Sequence, residues 1–151
     1  MMLYRITSRA YARDLSGTGA MLYGGRWNPR GMRMLYTSAS VSLAMLETLA
    51  NLSGDHFQRN LVVVRLELPD ALDVYTPVEL PERWQSYPHR AETVTFGETF
   101  LRSDHVAMRV PSALVPFEFN VLINPIHEKF DLVKYVDSNP ILLDKRLIGH
   151  D

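Results

Sequence analysis

Residues 24–47 read GGRWNPRGMRMLYTSASVSLAMLE, and this stretch decides how the rest of the chain is interpreted. It predicts a glycine-bracketed loop, then a strand over Arg33–Thr37 and a helix over Val41–Leu52. Ser38 or Ser40 can cap the start of that helix. Apolar residues fall on every side of the helix, so we expect it to be buried rather than amphipathic.

Glu47 is the exception in this apolar helix. A carboxylate is rarely buried without a partner, because stripping water from it is costly. Glu47 is therefore either the helix's solvent-facing residue, one half of a structural ion pair, or an acid that faces a cleft and does chemistry. The helix alone favours the first two readings, and only the residues around it favour the third.

Composition excludes several classes of function. The chain has 151 residues, 46% of them hydrophobic, which suits one soluble domain with a real core. Sixteen Lys and Arg against 17 Asp and Glu leave a net charge of -1, with no basic excess for nucleic acid. There is no cysteine, and the five histidines lack metal-ligand spacing, so we expect no metal site. No signal or membrane-spanning segment stands out, so a cytoplasmic protein without membrane contact is the default.

Short strands and few helices follow along the chain. Ser8–Gly31 predicts a long irregular stretch and Asn51–Asn60 a polar turn, while Glu92–Ser103 predicts a second helix. Asp137–Pro140 predicts a turn between the last two strands. Strands are predicted at Leu3–Thr7, Leu61–Leu68, Leu72–Tyr75, His105–Val110, Phe117–Ile123, Lys129–Val136 and Ile141–Asp144. This pattern indicates a mixed α+β domain with helices packed on a mostly antiparallel sheet.

Five side chains remain as candidates for chemistry: Arg5, Arg26, Tyr36, Glu47 and Ser112. Two guanidinium groups suit a diphosphate, because the arginine fork matches phosphate oxygens. An aromatic ring can stack on a flat heterocycle. A lone carboxylate can stabilise an oxocarbenium-like state, as it does in glycoside cleavage.

At these residues the sequence resembles the RES domain family, which is named for an arginine, a glutamate and a serine. No single motif is unique, but their order and spacing together are specific. Gly97–Phe100 departs from the Gly-Asp-x-Trp that the family often shows. The stretches that carry the resemblance are Gly25–Gly31, Leu35–Ser38, Leu43–Glu47, Val110–Ala113, Glu118–Asn120, Leu122–His127 and Leu143–Leu147.

The resemblance implies a single RES domain over residues 1–151 with a fold like that of the ADP-ribosyltransferases. It implies a toxin of a type II toxin–antitoxin system that consumes NAD as a substrate and needs no other cofactor. An Xre-like antitoxin is the implied partner, and a homodimer within the toxin–antitoxin complex is a further expectation. None of these partners follows from composition.

The resemblance also implies roles for the candidate residues. Arg5 and Arg26 would hold the diphosphate and ribose, and Tyr36 would position or stack the nicotinamide. Glu47 would orient the ribose and stabilise the ribosyl cation as nicotinamide leaves. Ser112 would bind the ligand or hold Glu47 in place. Substrate-binding residues are thus predicted to be Arg5, Arg26, Tyr36, Ser112 and Asn120, with Glu47, Arg26 and Tyr36 as the catalytic set.

The acceptor of the ADP-ribose group stays open at this point. Water would make the protein a glycohydrolase, inorganic phosphate a phosphorylase, and a protein side chain an ADP-ribosyltransferase. A hypothesis from another class is a binding module that holds a nucleotide in the same pocket without cleaving it.

Overall fold

A computed structural model describes residues 1–51 and 60–148. Three short 3-10 helices lie at Arg9–Tyr11, Phe130–Leu132 and Lys145–Leu147. The other elements, in chain order, are β1 (Met2–Ser8), α1 (Thr18–Tyr23), β2 (Leu35–Ser38), α2 (Val41–Asn51), β3 (Leu61–Glu67), β4 (Val74–Tyr75), α3 (Ala91–Leu101), β5 (Ala107–Pro111), β6 (Phe119–Ile123) and β7 (Lys134–Pro140).

The strands form one seven-stranded sheet with the order β4-β5-β6-β2-β1-β3-β7. Each neighbouring pair is antiparallel except β4 and β5, which run parallel. The predicted α+β class with a mostly antiparallel sheet is therefore confirmed. Most predicted strands and the second helix also lie within two residues of their observed bounds, the usual uncertainty of element ends.

Two hydrophobic clusters cover the two faces of this sheet. Val121 and Ile123 of β6 belong to one cluster, whereas Leu122 between them belongs to the other. Successive side chains of a strand point to opposite faces, so the clusters are separated by the sheet itself. Phe100 of α3 and Trp27 join Leu122 in the second cluster. Helix α2 packs against β1 and β2.

Helix α2 is only partly buried, which corrects the expectation that it is buried all round. Leu43 and Ala44 are buried, but Leu46 is 43% exposed and Val41 is also exposed. The physical reason is that only one face of the helix contacts the sheet. The predicted cap is confirmed, because the Ser40 Oγ accepts a hydrogen bond of 3.1 Å from the Leu43 backbone N–H.

The C-terminal prediction is wrong. Residues 137–140, expected to form a turn, belong to β7 and pair with β3. The register shifts between Arg65 and Leu66 of β3, which pair with Asp137 and Tyr135, so Val136 is the extra residue of a bulge in β7. Pairing along β3 satisfies the backbone groups of this polar segment, which turn propensity alone would place in a loop.

Other segments also differ from expectation. The stretch before Gly31 is not structureless, because α1 and the first 3-10 helix lie within it. Ile141–Asp144, predicted to be a strand, has no regular structure. The predicted turn at Asn51–Asn60 lies mostly outside the described residues. Among the residues that are described, no helix combines the length and the apolar character needed to cross a membrane.

Candidate functional site

Strand β2 sends alternate side chains to two different environments. Leu35 lies in the first hydrophobic cluster, and Thr37 is buried with its hydroxyl bonded to the backbone. Tyr36 and Ser38, which alternate with them, line a cleft. The strand thus faces the core with one row of side chains and the cleft with the other.

The cleft has a volume of about 400 Å³, within the range of small-molecule sites. It lies where β1, β2 and α2 meet. Three of the predicted site residues line it, namely Arg5, Tyr36 and Glu47. The other lining residues are Tyr4, Ile6, Thr7, Ser38, Ala44, Thr48, Asn51 and Leu61.

Glu47 is held from two directions through one carboxylate oxygen. Its Oε1 accepts a hydrogen bond of 2.8 Å from the Ser112 hydroxyl and one of 2.7 Å from the Asn120 side-chain amide. These donors follow Glu47 by 65 and 73 residues, so the fold brings them together. Within residues 1–51 and 60–148, no ion pair includes Glu47. The reading of Glu47 as half of an ion pair is thus not supported there.

Ser112 follows the end of β5 and is fully buried, with 0% of its surface exposed. Its Oγ accepts hydrogen bonds of 3.1 Å from the backbone N–H groups of Leu114 and Val115. Both acceptor sites of the hydroxyl are thereby occupied, and its one proton points to Glu47. Of the two predicted roles for Ser112, this geometry matches the one in which it holds Glu47 in place.

Asn120 is occupied at both ends of its amide. Its nitrogen donates to Glu47, and its Oδ1 accepts a 2.7 Å hydrogen bond from the Ser38 hydroxyl. Its predicted contact with a ligand stays a prediction. Ser38 was missed by sequence reasoning except as a possible helix cap. The signal that could have found it is its position two residues after Tyr36, which puts both on one face of a strand.

The Tyr36 hydroxyl is hydrogen-bonded to a tight turn formed by Gly25–Asn28. It donates to Asn28 Oδ1 at 2.6 Å and accepts from the Trp27 backbone N–H at 3.1 Å. Burial raises the pKa of Tyr36 well above its usual value, and the bond from Trp27 and the charge of Arg26 oppose this only in part. The hydroxyl therefore stays protonated.

Gly25 and Gly97 let this turn approach its neighbours closely. A Cβ on Gly25 would lie 2.6 Å from the Tyr36 hydroxyl oxygen. A Cβ on Gly97 of α3 would lie 1.6 Å from the Trp27 carbonyl oxygen. Gly97 thus sets the distance between α3 and the turn, although the resemblance gave it no part in the pocket.

The two predicted arginine ligands differ in their surroundings. Arg26 does not line the cleft, and its Nη1 donates to the carbonyl oxygens of Trp84 and Ser86 at 2.7 Å each. Arg5 lines the cleft and donates from Nη1 to the Asp14 carbonyl at 2.6 Å. Burial lowers the pKa of Arg5, and the charge of Asp14 opposes that change. An arginine remains charged under such a shift.

The described residues lack the cluster of side chains that a metal site requires. Across the two described ranges, no group of three or more His, Asp or Glu side chains could hold a metal ion. The cleft instead offers one carboxylate, one guanidinium and two aromatic rings, those of Tyr4 and Tyr36. Those groups bind and orient an organic ligand and stabilise charge on it.

The chain is similar to known proteins over most of its length. The RES domain family matches residues 2–144. A Yersinia enterocolitica protein named "Toxin Res" is 41% identical over 133 residues, which covers 86% of this chain and 88% of that protein. A Sphingobium protein named "Prs ADP-ribosylating toxin" is 38% identical over 147 residues, with 93% and 91% of the two chains covered.

The chain also has a fold similar to that of a solved structure. The solved structure is a crystal structure of the M. tuberculosis MbcT-MbcA toxin-antitoxin complex, with a TM-score of 0.64 over 93% of this chain and 83% of that chain. At 18% sequence identity the likeness concerns the fold alone.

Proposed function

Since the chain belongs to the RES domain family, we propose that it is the toxin of a toxin–antitoxin system and that it cleaves the nicotinamide–ribose bond of NAD. The observation that carries the chemistry is the placement of Glu47. Its Oε1 is fixed by Ser112 and Asn120 at 2.8 and 2.7 Å, beside a cleft that Arg5 also lines. A carboxylate held in this way is preorganised to meet positive charge.

In the proposed reaction the C–N bond between ribose and nicotinamide breaks. The bonding electron pair leaves with the ring, which becomes neutral, and positive charge develops on the ribose. Glu47 stabilises that charge while Arg5 binds the diphosphate and the Tyr36 ring packs on the nicotinamide. The nucleophile then adds to the sugar and loses its proton. Because Ser112 and Asn120 already hold Glu47, little reorganisation accompanies the step.

The test is nicotinamide release from NAD by the purified protein and by Glu47→Gln. The amide keeps the shape of the side chain but removes the charge, so we expect the rate to fall about 10²–10³-fold. Glu128→Gln, the same change at an exposed glutamate, is the matched control and should keep the wild-type rate. Equal rates for Glu47→Gln and wild type would overturn the role of Glu47. NAD binding without any release by the wild type would instead favour a binding module.

Transfer of ADP-ribose to a protein is the second candidate. It is favoured by the name of the Sphingobium relative, which covers nearly the whole chain. Products formed with water alone, with added phosphate, and with labelled NAD plus cell lysate separate the three acceptors. Label on one lysate protein indicates a transferase, whereas free ADP-ribose or its 1-phosphate indicates water or phosphate as the acceptor.

An antitoxin partner is proposed on the family and on the toxin–antitoxin complex that shares the fold. Expression of the chain alone should stop growth and lower cellular NAD. Co-expression with the product of the neighbouring gene should restore both. Growth arrest without loss of NAD would contradict water or phosphate as the acceptor and would favour transfer to a protein, and it would leave the toxin role intact. The mass of the purified complex tests the expected homodimer.

A further inference from the structure

We propose that Ser38 is a positioning residue that orients the Asn120 amide, so that Asn120 in turn holds Glu47 toward the cleft. This inference rests on the proposed function, because Glu47 is taken there as the acid that faces the sugar. Ser38 acts through Asn120 and not on the ligand. The residues involved come from β2, β6 and α2.

The sheet register places Ser38 opposite its partner. Ser38 of β2 pairs with Asn120 of β6 in the antiparallel ladder, and their side chains form a 2.7 Å hydrogen bond. On its other side Ser38 pairs with Tyr4 of β1. Ser38 is only 4% exposed, so little water can replace its hydroxyl. Residues directly opposite on one face of a sheet are the natural pairs for such contacts.

The chemistry of the three groups determines the direction of each bond. An ionised carboxylate only accepts, so the end of the Asn120 amide that faces Glu47 is the nitrogen. The carbonyl end then faces Ser38, and the serine hydroxyl must donate its proton. The carboxylate thus fixes the orientation of the amide, and the amide fixes that of the hydroxyl. Amide orientations are assigned from hydrogen-bond networks in this way.

Loss of the Ser38 hydroxyl removes one of the two groups that hold the Asn120 amide. Glu47 still attracts the amide nitrogen, but the amide oxygen then has no donor, and one hydrogen bond fixes the side chain less firmly than two. The Asn120 nitrogen then spends less time in place beside Glu47, and Ser112 provides the one bond to Glu47 that is unaffected. Such a change lowers the rate of the chemical step more than it changes substrate binding.

Ser38→Ala is the first variant, and Thr37→Val is its matched control. Thr37 is the preceding residue of β2, is equally buried, and donates to the Val121 carbonyl outside the network. We expect Ser38→Ala to lower kcat for nicotinamide release about threefold to tenfold, the effect of one neutral hydrogen bond. KM should stay within twofold, and Thr37→Val should change neither. An unchanged kcat in folded Ser38→Ala would overturn the proposal.

A double-mutant cycle with Asn120→Ala tests whether Ser38 acts through Asn120. If it does, Ser38→Ala lowers kcat no further once Asn120 is alanine. An equal fall in both backgrounds would mean that Ser38 acts on the ligand directly, and the proposal would fail.

The Asn120 side-chain amide gives a readout that needs no NAD chemistry. Its ¹H–¹⁵N signal is identified by its loss in Asn120→Ala. It should move in Ser38→Ala and stay in place in Thr37→Val, and an unmoved signal in Ser38→Ala would overturn the proposal. Movement of the signal in a protein that releases no nicotinamide would instead leave the Ser38 linkage intact and reject the proposed function. If the alanine variant does not fold, Ser38→Thr keeps the hydroxyl and should retain the wild-type signal.

Discussion

The two sides of the cleft use polar groups in different ways. On the acid side, partners from distant parts of the chain hold one oxygen of Glu47 and leave the carboxylate beside the cleft. On the tyrosine side, the hydroxyl of Tyr36 is bonded to Asn28 and Trp27, and Nη1 of Arg26 is bonded to backbone carbonyls. The first arrangement presents a charge to the cleft, whereas in the second the polar groups bond to other parts of the protein and hold the structure together.

This difference teaches that residue type does not determine role within one site. A tyrosine hydroxyl and an arginine beside a pocket both look like ligand-binding groups. Here their hydrogen bonds connect the turn over Gly25–Asn28 to β2 and to the segment near Trp84. The comparison predicts large kinetic effects from the acid side and mostly structural effects from the tyrosine side.

Ser112→Ala should give the largest of these effects. It removes a hydrogen bond to a charged group, and such bonds contribute about 1.5–3 kcal/mol. We therefore expect kcat for nicotinamide release to fall about 10–100-fold. Stability should also fall, because the backbone N–H groups of Leu114 and Val115 lose their acceptor.

Ser103→Ala is the control for that experiment. Ser103 also bonds to backbone on both sides, donating to the Phe100 carbonyl and accepting from His105, but it lies at the end of α3 outside the cleft. It should lower stability without changing the rate of folded protein. If Ser112→Ala also lowered stability without changing the rate, the acid side would be no more catalytic than the tyrosine side.

The fold was predictable where one face of an element decides its structure. The strands β1 and β3 and the cap at Ser40 were readable from local pattern. The polar residues 137–140 were not, because their strand exists only through pairing with β3, a contact 72 residues away at Arg65 and Asp137. The exposed side of α2 was missed because composition does not tell which face meets a sheet.

Most residues of the site could be predicted from the sequence, but the hydrogen bonds between them could not. Glu47, Arg5 and Tyr36 could be selected from residue chemistry and family resemblance, and they do line one cleft. The bonds from Ser112 and Asn120 to Glu47, and from Ser38 to Asn120, depend on strand register. The local sequence of β2 does not say that β6 will lie beside it, and that pairing is what brings these side chains together.

Tyr36→Phe should separate the tyrosine side from the acid side. The ring remains, so kcat should stay within about twofold, but the buried Asn28 Oδ1 loses its donor. An unsatisfied buried group costs about 1–3 kcal/mol, which urea denaturation would measure as a lower free energy of unfolding. Tyr23→Phe, at a tyrosine that is 77% exposed, should change neither quantity. A 100-fold fall in kcat with unchanged stability would make the hydroxyl a catalytic group.

The smallest effect should distinguish the two arginines. Arg5 lines the cleft, so Arg5→Lys removes a fork that suits a diphosphate and should raise KM for NAD about threefold to tenfold. Arg26→Lys should raise KM less than threefold but speed hydrogen exchange in residues 81–90, because Nη1 of Arg26 joins two carbonyls of that segment. Arg30→Lys, at an exposed arginine just after the same turn, controls for the exchange itself. If Arg26→Lys raised KM more than Arg5→Lys did, Arg26 would have to leave those carbonyls when NAD binds. The tyrosine side would then be part of the binding site.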